Sequence, residues 1–286
     1  MQSGLKQPFK HTWEEAIDIL REDPKHQTLI YDSYLTRDLV GNARRFAASD
    51  EFREAHSLLT QYAPNARQIL DMPGGNGIAT FAFASRGFDV TAVEPNPSDS
   101  VGRGAINTVL NAGGVRAELV EAWGESLPFA SNSFDVVYVR QGLHHASDLK
   151  KMIGEIARVL RPGGVMLACR EHVVDDYGSS LQAFLDSQVD HQLYGGENAF
   201  TLPDYLTAMR ESDFDVELCI APFDSVINAY PNTPEVLREK ILASRAGRVL
   251  RLFLPLHAVT LVGQWYLKRK KTPGRLYSFL ARKRGL

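Results

Sequence analysis

Three glycines fall within four positions in the run QILDMPGGNGIATFAF, directly after an apolar stretch that closes on Asp71. Bare backbone of this kind is needed where a ligand and the main chain come into contact, because a Cβ would occupy the ligand's space. A strand ending in Asp71, a turn through Gly74, Gly75 and Gly77, and a helix starting near Gly77 make a nucleotide-type site. Two common occupants fail the spacing. The dinucleotide fingerprint, counted from Gly75 and Gly77, needs a glycine where the chain has Thr80, and no Gly-Lys-Ser/Thr follows to make a phosphate loop.

Other residues of chemical interest lie downstream. RQGLHH brings His144 and His145, and histidine titrates near neutral pH, which suits a general base. CREHVVDDY brings Arg170, Glu171 and His172, and DHQLYGGENAFTL brings His191, Tyr194, Glu197 and Asn198 in a glycine-containing loop of the sort that walls active sites. Glu171, His172, His191 and Glu197 could assemble a metal site. Their spacing does not require one as a tight H-x-x-x-H would, so no metal is assigned.

The elements that must position these groups follow from periodicity. Residues 13–62 read as helical: Thr12 with Glu15 three later is a capping-box pattern, repeated with Ser49 or Asp50 as cap. From Arg67 short β-branched runs alternate with helix-like stretches. The runs are QILDM, DVTAVE, AELVEA, FDVVYVR and VMLACRE; the helices are expected over 78–85, 99–111 and 149–160. RPGG stops the last of these helices and launches the fifth strand. Helices near 180–188 and 202–211, a strand FDVELCIA, an apolar helical stretch over 234–268 and a closing strand GRLYSFLAR complete the chain. Such alternation means a parallel sheet with helices on both faces.

Composition sets the class. The 286 residues are 44% hydrophobic and 23% charged, which is ordinary for a globular protein with a sizeable core. Cys169 and Cys219 lie in apolar runs and read as reduced core residues of a cytoplasmic protein. The N-terminal stretch lacks the apolar segment of a secretory signal. Net charge is −2, yet twelve Lys/Arg and no acidic residue fall between Lys240 and Leu286, leaving a strongly acidic body. A basic end hints at an anionic partner or is simply a solvated face.

With Pro73 in the first glycine's place, Asp71, Pro73, Gly75 and Gly77 fit D-x-G-x-G-x-G, which resembles motif I of the class I S-adenosyl-L-methionine (SAM)-dependent methyltransferases, of the methyltransferase type 11-like kind. Four further segments resemble that family in the right order. They are VTAVEPNP, AWGESLPF, SFDVVYVRQGLHHASDL and MIGEIARVLRPGGVML, so the likeness covers residues 68–170 closely. The resemblance implies an α/β fold: a Rossmann-like, doubly wound, seven-stranded sheet, mostly parallel with its last strand antiparallel, with an N-terminal helical cap and a C-terminal helical insertion. It implies SAM as cofactor, held by the loop Asp71, Met72, Pro73, Gly74, Gly75, Asn76 and Gly77. Glu94, next to Pro95, would bind both ribose hydroxyls, as a carboxylate can accept two hydrogen bonds. Trp123, Gly124 and Glu125 would face the adenine, and Arg140 and Gln141 the methionine end.

Two departures matter. Pro73 removes one N–H from the loop, leaving Gly74 and Gly75 to serve the ligand. Trp123 stands where the family places an aspartate toward the adenine amino group, so an indole would stack on the ring or wall the pocket. In this fold the acceptor lies over the ends of the fourth and fifth strands. That nominates His172 first as base, then His145, His144, Glu171 and His191. Tyr31 and Tyr34, on one face if helical, would cap the cofactor.

The run VLRLFLPLHAVTLVGQWYLKRKK is too interrupted for a spanning helix. A helical pair packed on the domain is the expectation, with an interfacial helix or lid, flanked by Lys268–Lys271, as the alternative. The expected organisation is a cap over 1–66, a SAM-binding core over 67–232, a helical insertion over 233–273 and the final strand over 274–286. The expected function is methyl transfer from SAM to oxygen or nitrogen of a small-molecule acceptor, with an apolar or lipid-linked acceptor left open and peripheral membrane contact possible through the basic end. The alternative is a SAM-binding scaffold without catalysis. A nucleic-acid substrate is disfavoured, since RQGLHH replaces the N/D-P-P-Y/F signature.

Overall fold

All seven strands expected from the alternation are present in a computed structural model that describes residues 9–270 and 272–285. The first eight residues of the polar N-terminal stretch, and Lys271 of the basic cluster, lie outside the described residues. The strands are β1 (Gln68–Asp71), β2 (Asp89–Val93), β3 (Glu118–Val120), β4 (Phe134–Arg140), β5 (Leu160–Val174), β7 (Phe214–Ile220) and β8 (Arg275–Lys283), with an unexpected two-residue β6 (Phe200–Thr201). Their order is β3-β2-β1-β4-β5-β8-β7, with β6 paired to β5, so the sheet has eight strands. β8 runs antiparallel to both β5 and β7, and the other pairings are parallel. Strand order reverses between β1 and β4, the place where open α/β sheets bind ligands.

Alternate residues feed opposite layers of the core, as the two-residue strand period demands. Leu70, Val137, Val139, Met166 and Ala168 pack with Ile153 and Ile156 of the helix Leu149–Val159. Ile69, Val136, Tyr138, Val165 and Leu167 pack instead with Phe52 and Phe83. Burial of the strands on both faces explains why they read as continuous apolar runs.

The cap starts as its sequence dictates. Thr12 Oγ accepts from Glu15 N–H at 3.3 Å and Glu15 Oε2 accepts from Thr12 N–H at 2.9 Å. The second start repeats half of this pattern. Ser49 caps the helix Asp50–Tyr62 through Phe52 N–H, but the third helical position is Phe52, which cannot reach back. Tyr31 and Tyr34 part company: the helix Gln27–Asp32 ends between them, leaving Tyr31 exposed and Tyr34 fully buried at φ 59°.

Other boundaries shift for visible reasons. The helix expected over 99–111 begins at Arg103, because Asn96 Oδ1 and Ser98 Oγ tie up the backbone of Ser98, Ser100 and Val101 in a turn. The RPGG turn lies within β5, whose register against β4 slips there, with Gly163 at φ +78°. Cys169 is buried as expected, whereas Cys219 is exposed, because β7 is an edge strand whose alternate residues face outward.

Between β7 and β8 come three helices beyond a short turn of helix, Pro234–Ala243, Arg245–Leu250 and Leu256–Arg269, where a pair was expected. Their own small cluster, Leu237, Ile241 and Val259, is joined by Phe223 and stands apart from the two layers on the sheet. Among the described residues no helix is long and apolar enough to cross a membrane.

Candidate functional site

The glycine loop joins β1 to the helix Ile78–Ala84 and works mainly through shape. Gly77, the N-cap, has φ +85°, and a Cβ there would sit 3.0 Å from Ile106 Cα. Gly75 has φ +53° and a Cβ on it would meet nothing within 4 Å, so the surface is bare where the sequence suggested. The expectation that Gly74 and Gly75 offer free N–H groups is corrected by their bonds. Gly74 N–H donates to Val93 O at 2.8 Å, and Gly75 N–H to Glu94 Oε2 at 2.8 Å, so both donors lash the loop to β2.

Asp71 supports the loop from beneath. It is fully buried; its Oδ2 accepts from Thr80 Oγ at 2.6 Å and its Oδ1 has no hydrogen-bond partner. Burial, opposed by the Thr80 bond, pushes its carboxyl up to about 7. Asn76 reaches the cap, its Nδ2 donating to Tyr34 O at 2.7 Å.

Beside the loop opens a cleft of about 190 Å³. Met72, Pro73, Glu94 and Pro95 form one wall, Trp123, Gly124 and Glu125 another, and Gly142, His145 and Met152 the end. Seven cofactor candidates named from sequence therefore meet there. Glu94 Oε1 also accepts from Asn96 N–H at 2.9 Å, so each oxygen is held by one backbone amide and keeps a lone pair for a ligand. Burial raises its pKa, against the pull of those two amides. Trp123 is 70% exposed and lines the cleft, so its indole is a wall. Glu125 Oε1 accepts from Ser147 N–H at 2.9 Å, closing the turn at Trp123–Ser126 onto the loop after β4. Gly142 makes room for Pro73: a Cβ would fall 2.3 Å from Pro73 Cδ.

Arg140 and Gln141 do not line this cleft. Arg140 Nε donates to Glu51 Oε1 at 2.6 Å in a nearly closed site, and its Nη1 donates to Gln141 Oε1 at 3.0 Å. Desolvation opposes the guanidinium's charge, but Glu51 more than compensates and raises its pKa. Arg170 joins the same buried group, 3.9 Å from Glu51, and donates to Ile227 O and Tyr230 O. Sequence reading missed Glu51. A signal existed, because Glu51 lies four and eight residues before Ala55 and Leu59 on the buried stripe of its helix.

Four of the five base candidates, His144, His145, Glu171 and His172, lie close together. His144 and Glu171 are fully buried, with His144 Nδ1–H donating to Glu171 Oε2 at 2.8 Å. Glu171 also accepts from Gly142 N–H and His144 N–H, so it holds the loop after β4 in place. Burial pushes the His144 pKa well down and that of Glu171 up. His172 Nδ1–H donates to Gly274 O at 2.9 Å, and burial with His144 nearby holds the imidazole down at about 3. His172 is not among the residues lining the cleft, whereas His145 is, so geometry favours His145 over the residue placed first from sequence. His145 lines the cleft, donates from Nδ1 to Gly196 O at 3.0 Å and leaves Nε2 as its acceptor. His191 packs edge-on against Phe9, away from the cleft lining.

A larger apolar cavity, about 660 Å³, lies among the C-terminal helices and is lined by Ile241, Val259 and Trp265. Its lining is mainly apolar, with Lys240, Ser244 and Tyr266 among it, and it holds no carboxylate fixed by backbone amides among the described residues, so the smaller cleft is the candidate site.

Residues 70–168 match the methyltransferase domain family. An uncharacterized methyltransferase of Mycobacterium sp. (strain JLS) is 39% identical over 106 residues, covering 37% of this chain and 39% of that protein. A demethylmenaquinone methyltransferase of Clavibacter sepedonicus is 36% identical over 103 residues, covering 36% of this chain and 40% of that protein. The matches thus span about two fifths of these relatives' length. Among solved structures, a phosphoethanolamine N-methyltransferase 2 of Haemonchus contortus, in complex with S-adenosyl-L-methionine, shares the fold at TM-score 0.56 and 18% identity, covering 96% of this chain and 60% of that one.

Proposed function

We propose that this chain, whose residues 70–168 are a methyltransferase domain, transfers the methyl group of SAM to a small-molecule acceptor by direct displacement. The observation that carries this reading is Glu94: a buried carboxylate at the end of β2, fixed by two backbone amides, beside a glycine loop at the point where strand order reverses. Those features suit a ribose diol and an adenine between Pro95 and Trp123. The sulfonium methyl is already activated, so the protein's task is to align the acceptor and accept its proton.

His145 is the group best placed for that proton. It lines the cleft, and its bond to Gly196 O leaves Nε2 as the acceptor. The acceptor's nucleophilic atom forms a bond to the methyl carbon as the carbon–sulfur bond breaks, its electron pair stays on sulfur, and the proton passes to His145. Oxygen or nitrogen is the atom this chemistry favours.

The C-terminal helices support an apolar or lipid-linked acceptor. Leu252 and Phe253 are 76% and 78% exposed, beside Arg248 and Arg251, a pairing that suits contact with an anionic membrane surface. Names among the relatives lean the same way, since a demethylmenaquinone methyltransferase acts, by its name, on a quinone-type molecule.

Transfer of labelled methyl from SAM to a panel of hydroxylated and amine acceptors tests the reading. The expected result is turnover that falls about 100-fold in His145→Gln while cofactor affinity holds. Cofactor binding with no transfer to any acceptor would favour the second reading, a SAM-binding scaffold, for which Pro73 and the absent adenine aspartate speak.

A further inference from the structure

Three side chains that sequence alone left scattered converge beyond the end of the cleft. His144 comes from the turn after β4, His172 from β5, and Glu197 from the loop after the helix Val189–Tyr194. One ligand atom from each, an imidazole nitrogen or a carboxylate oxygen, lies within 4.8 Å of the other two, and His144 Nε2 stands 3.7 Å from Glu197 Oε2.

Each of the three is oriented by a partner behind it. His144 Nδ1–H donates to Glu171, whose carboxylate is itself pinned by two backbone amides. His172 Nδ1–H donates to Gly274 O, a group that can only accept. Tyr194 O–H donates to Glu197 Oε1 at 3.1 Å. These bonds put the proton of both imidazoles on Nδ1 and leave each Nε2 with a lone pair, that of His144 lying beside Glu197. Acceptor atoms of two imidazoles and a carboxylate then gather within 4.8 Å of one another, with His144 buried and His172 and Glu197 partly so. Such an arrangement is repulsive unless a cation or a proton sits between them.

We propose that His144, His172 and Glu197 bind a single divalent transition cation of the zinc class, with Glu171, Gly274 and Tyr194 as the outer groups that aim the ligands. Two imidazoles and one carboxylate are a donor set for zinc-type ions, and a carboxylate behind a metal-bound histidine is the recurrent outer partner. Bonds of about 2.0–2.1 Å to a tetrahedral ion imply donor separations of roughly 3.3 Å, so the ligands draw in by about 1 Å. Glu197, beside Gly195 and Gly196, is the ligand on flexible chain that can supply this movement. Three protein ligands leave one position open. His145, whose ring centre is 4.2 Å from that of His144, lies between this site and the cleft. The site stands without the methyl-transfer reading; on that reading, the open position offers a place for the acceptor's oxygen.

The test uses the full chain stripped with chelator and dialysed against Zn²⁺, then counted by elemental analysis, with Co²⁺ as a spectroscopic stand-in. The expected result is one Zn²⁺ per chain and intense visible ligand-field bands with Co²⁺ that Zn²⁺ displaces. His144→Ala and His172→Ala each lower Zn²⁺ affinity at least 100-fold, and Glu171→Gln lowers it about 10- to 100-fold. S-adenosylhomocysteine binding by each variant reports that the fold is intact. No saturable cation on the wild-type chain, or affinity unchanged in both histidine variants, overturns the proposal. The wild-type Co²⁺ spectrum decides the matter even where a variant fails to fold.

Discussion

The cleft at the ends of β1 and β4 and the hollow among the C-terminal helices are built on opposite plans. The cleft is small, about 190 Å³, and its carboxylates are fixed: Glu94 by Gly75 and Asn96, Glu125 by Ser147. The hollow is several times larger, about 660 Å³, and is lined by Ile241, Val259 and Trp265, with Leu252 and Phe253 exposed in the chain between two of its helices. Size therefore does not locate chemistry here. On the proposed reading, a few polar groups held by backbone amides mark the reacting site, and the exposed apolar residues mark contact with an apolar partner.

The largest way to sharpen this contrast uses the pH response of Asp71. Its folded pKa, about 7, exceeds the ordinary 3.8, so the native state keeps a proton that the unfolded chain releases. Its contribution to stability is complete below about pH 4 and is lost as pH climbs through 7, by up to roughly 4 kcal/mol in all. Asp71→Asn keeps an acceptor for Thr80 and removes the charge, so its denaturant midpoint is expected to stay flatter over that window. Equal slopes in the two proteins would mean that the buried carboxyl is not under strain.

Gly77→Ala comes next. A side chain at φ +85°, 3.0 Å from Ile106 Cα, costs roughly 2 kcal/mol, a fall in melting temperature of about 4 °C by calorimetry. Gly75→Ala separates shape from stability. Its Cβ has open space, so it costs about 1 kcal/mol of fold yet intrudes on the ligand, and isothermal titration is expected to show the larger loss in cofactor affinity.

The hollow responds in the reverse sense. Leu252→Glu with Phe253→Glu is expected to abolish co-sedimentation with anionic vesicles at low salt, with unfolding free energy changed by no more than about 0.5 kcal/mol. Wild-type chain that ignores such vesicles would remove the membrane reading of this face. The smallest effect belongs to Pro73→Gly. The neighbouring N–H groups already serve β2, so cofactor affinity is expected to move by only about two- to threefold.

What was legible in the sequence was local. Asp71, the glycines and Glu94 signal through spacing within one strand–loop–helix unit and the next strand; Gly75 and Glu94 meet in a hydrogen bond, while of this set only Glu94 is among the residues lining the cleft. The capping box at Thr12 is likewise complete within four residues. What was illegible depends on tertiary closure. His144 and Glu197 lie 53 residues apart and meet only because β6 pairs with β5 and brings the loop back. Glu51 and Arg140 are 89 residues apart and pair through the packing of a cap helix on the strand tops. No periodicity spans such distances. The order of base candidates changed for the same reason, since the contact that ties His172 Nδ1 to Gly274 O comes from the turn before β8, whereas His145 lines the cleft.

Titration calorimetry with S-adenosylhomocysteine, on wild-type chain and on Glu94→Ala, tests the central claim most directly. The cleft described here predicts one site per chain in the wild type and at least a 100-fold loss in the variant, about 2.7 kcal/mol for two hydrogen bonds to a charged group. No binding by the wild type, or equal binding by both proteins, would contradict it.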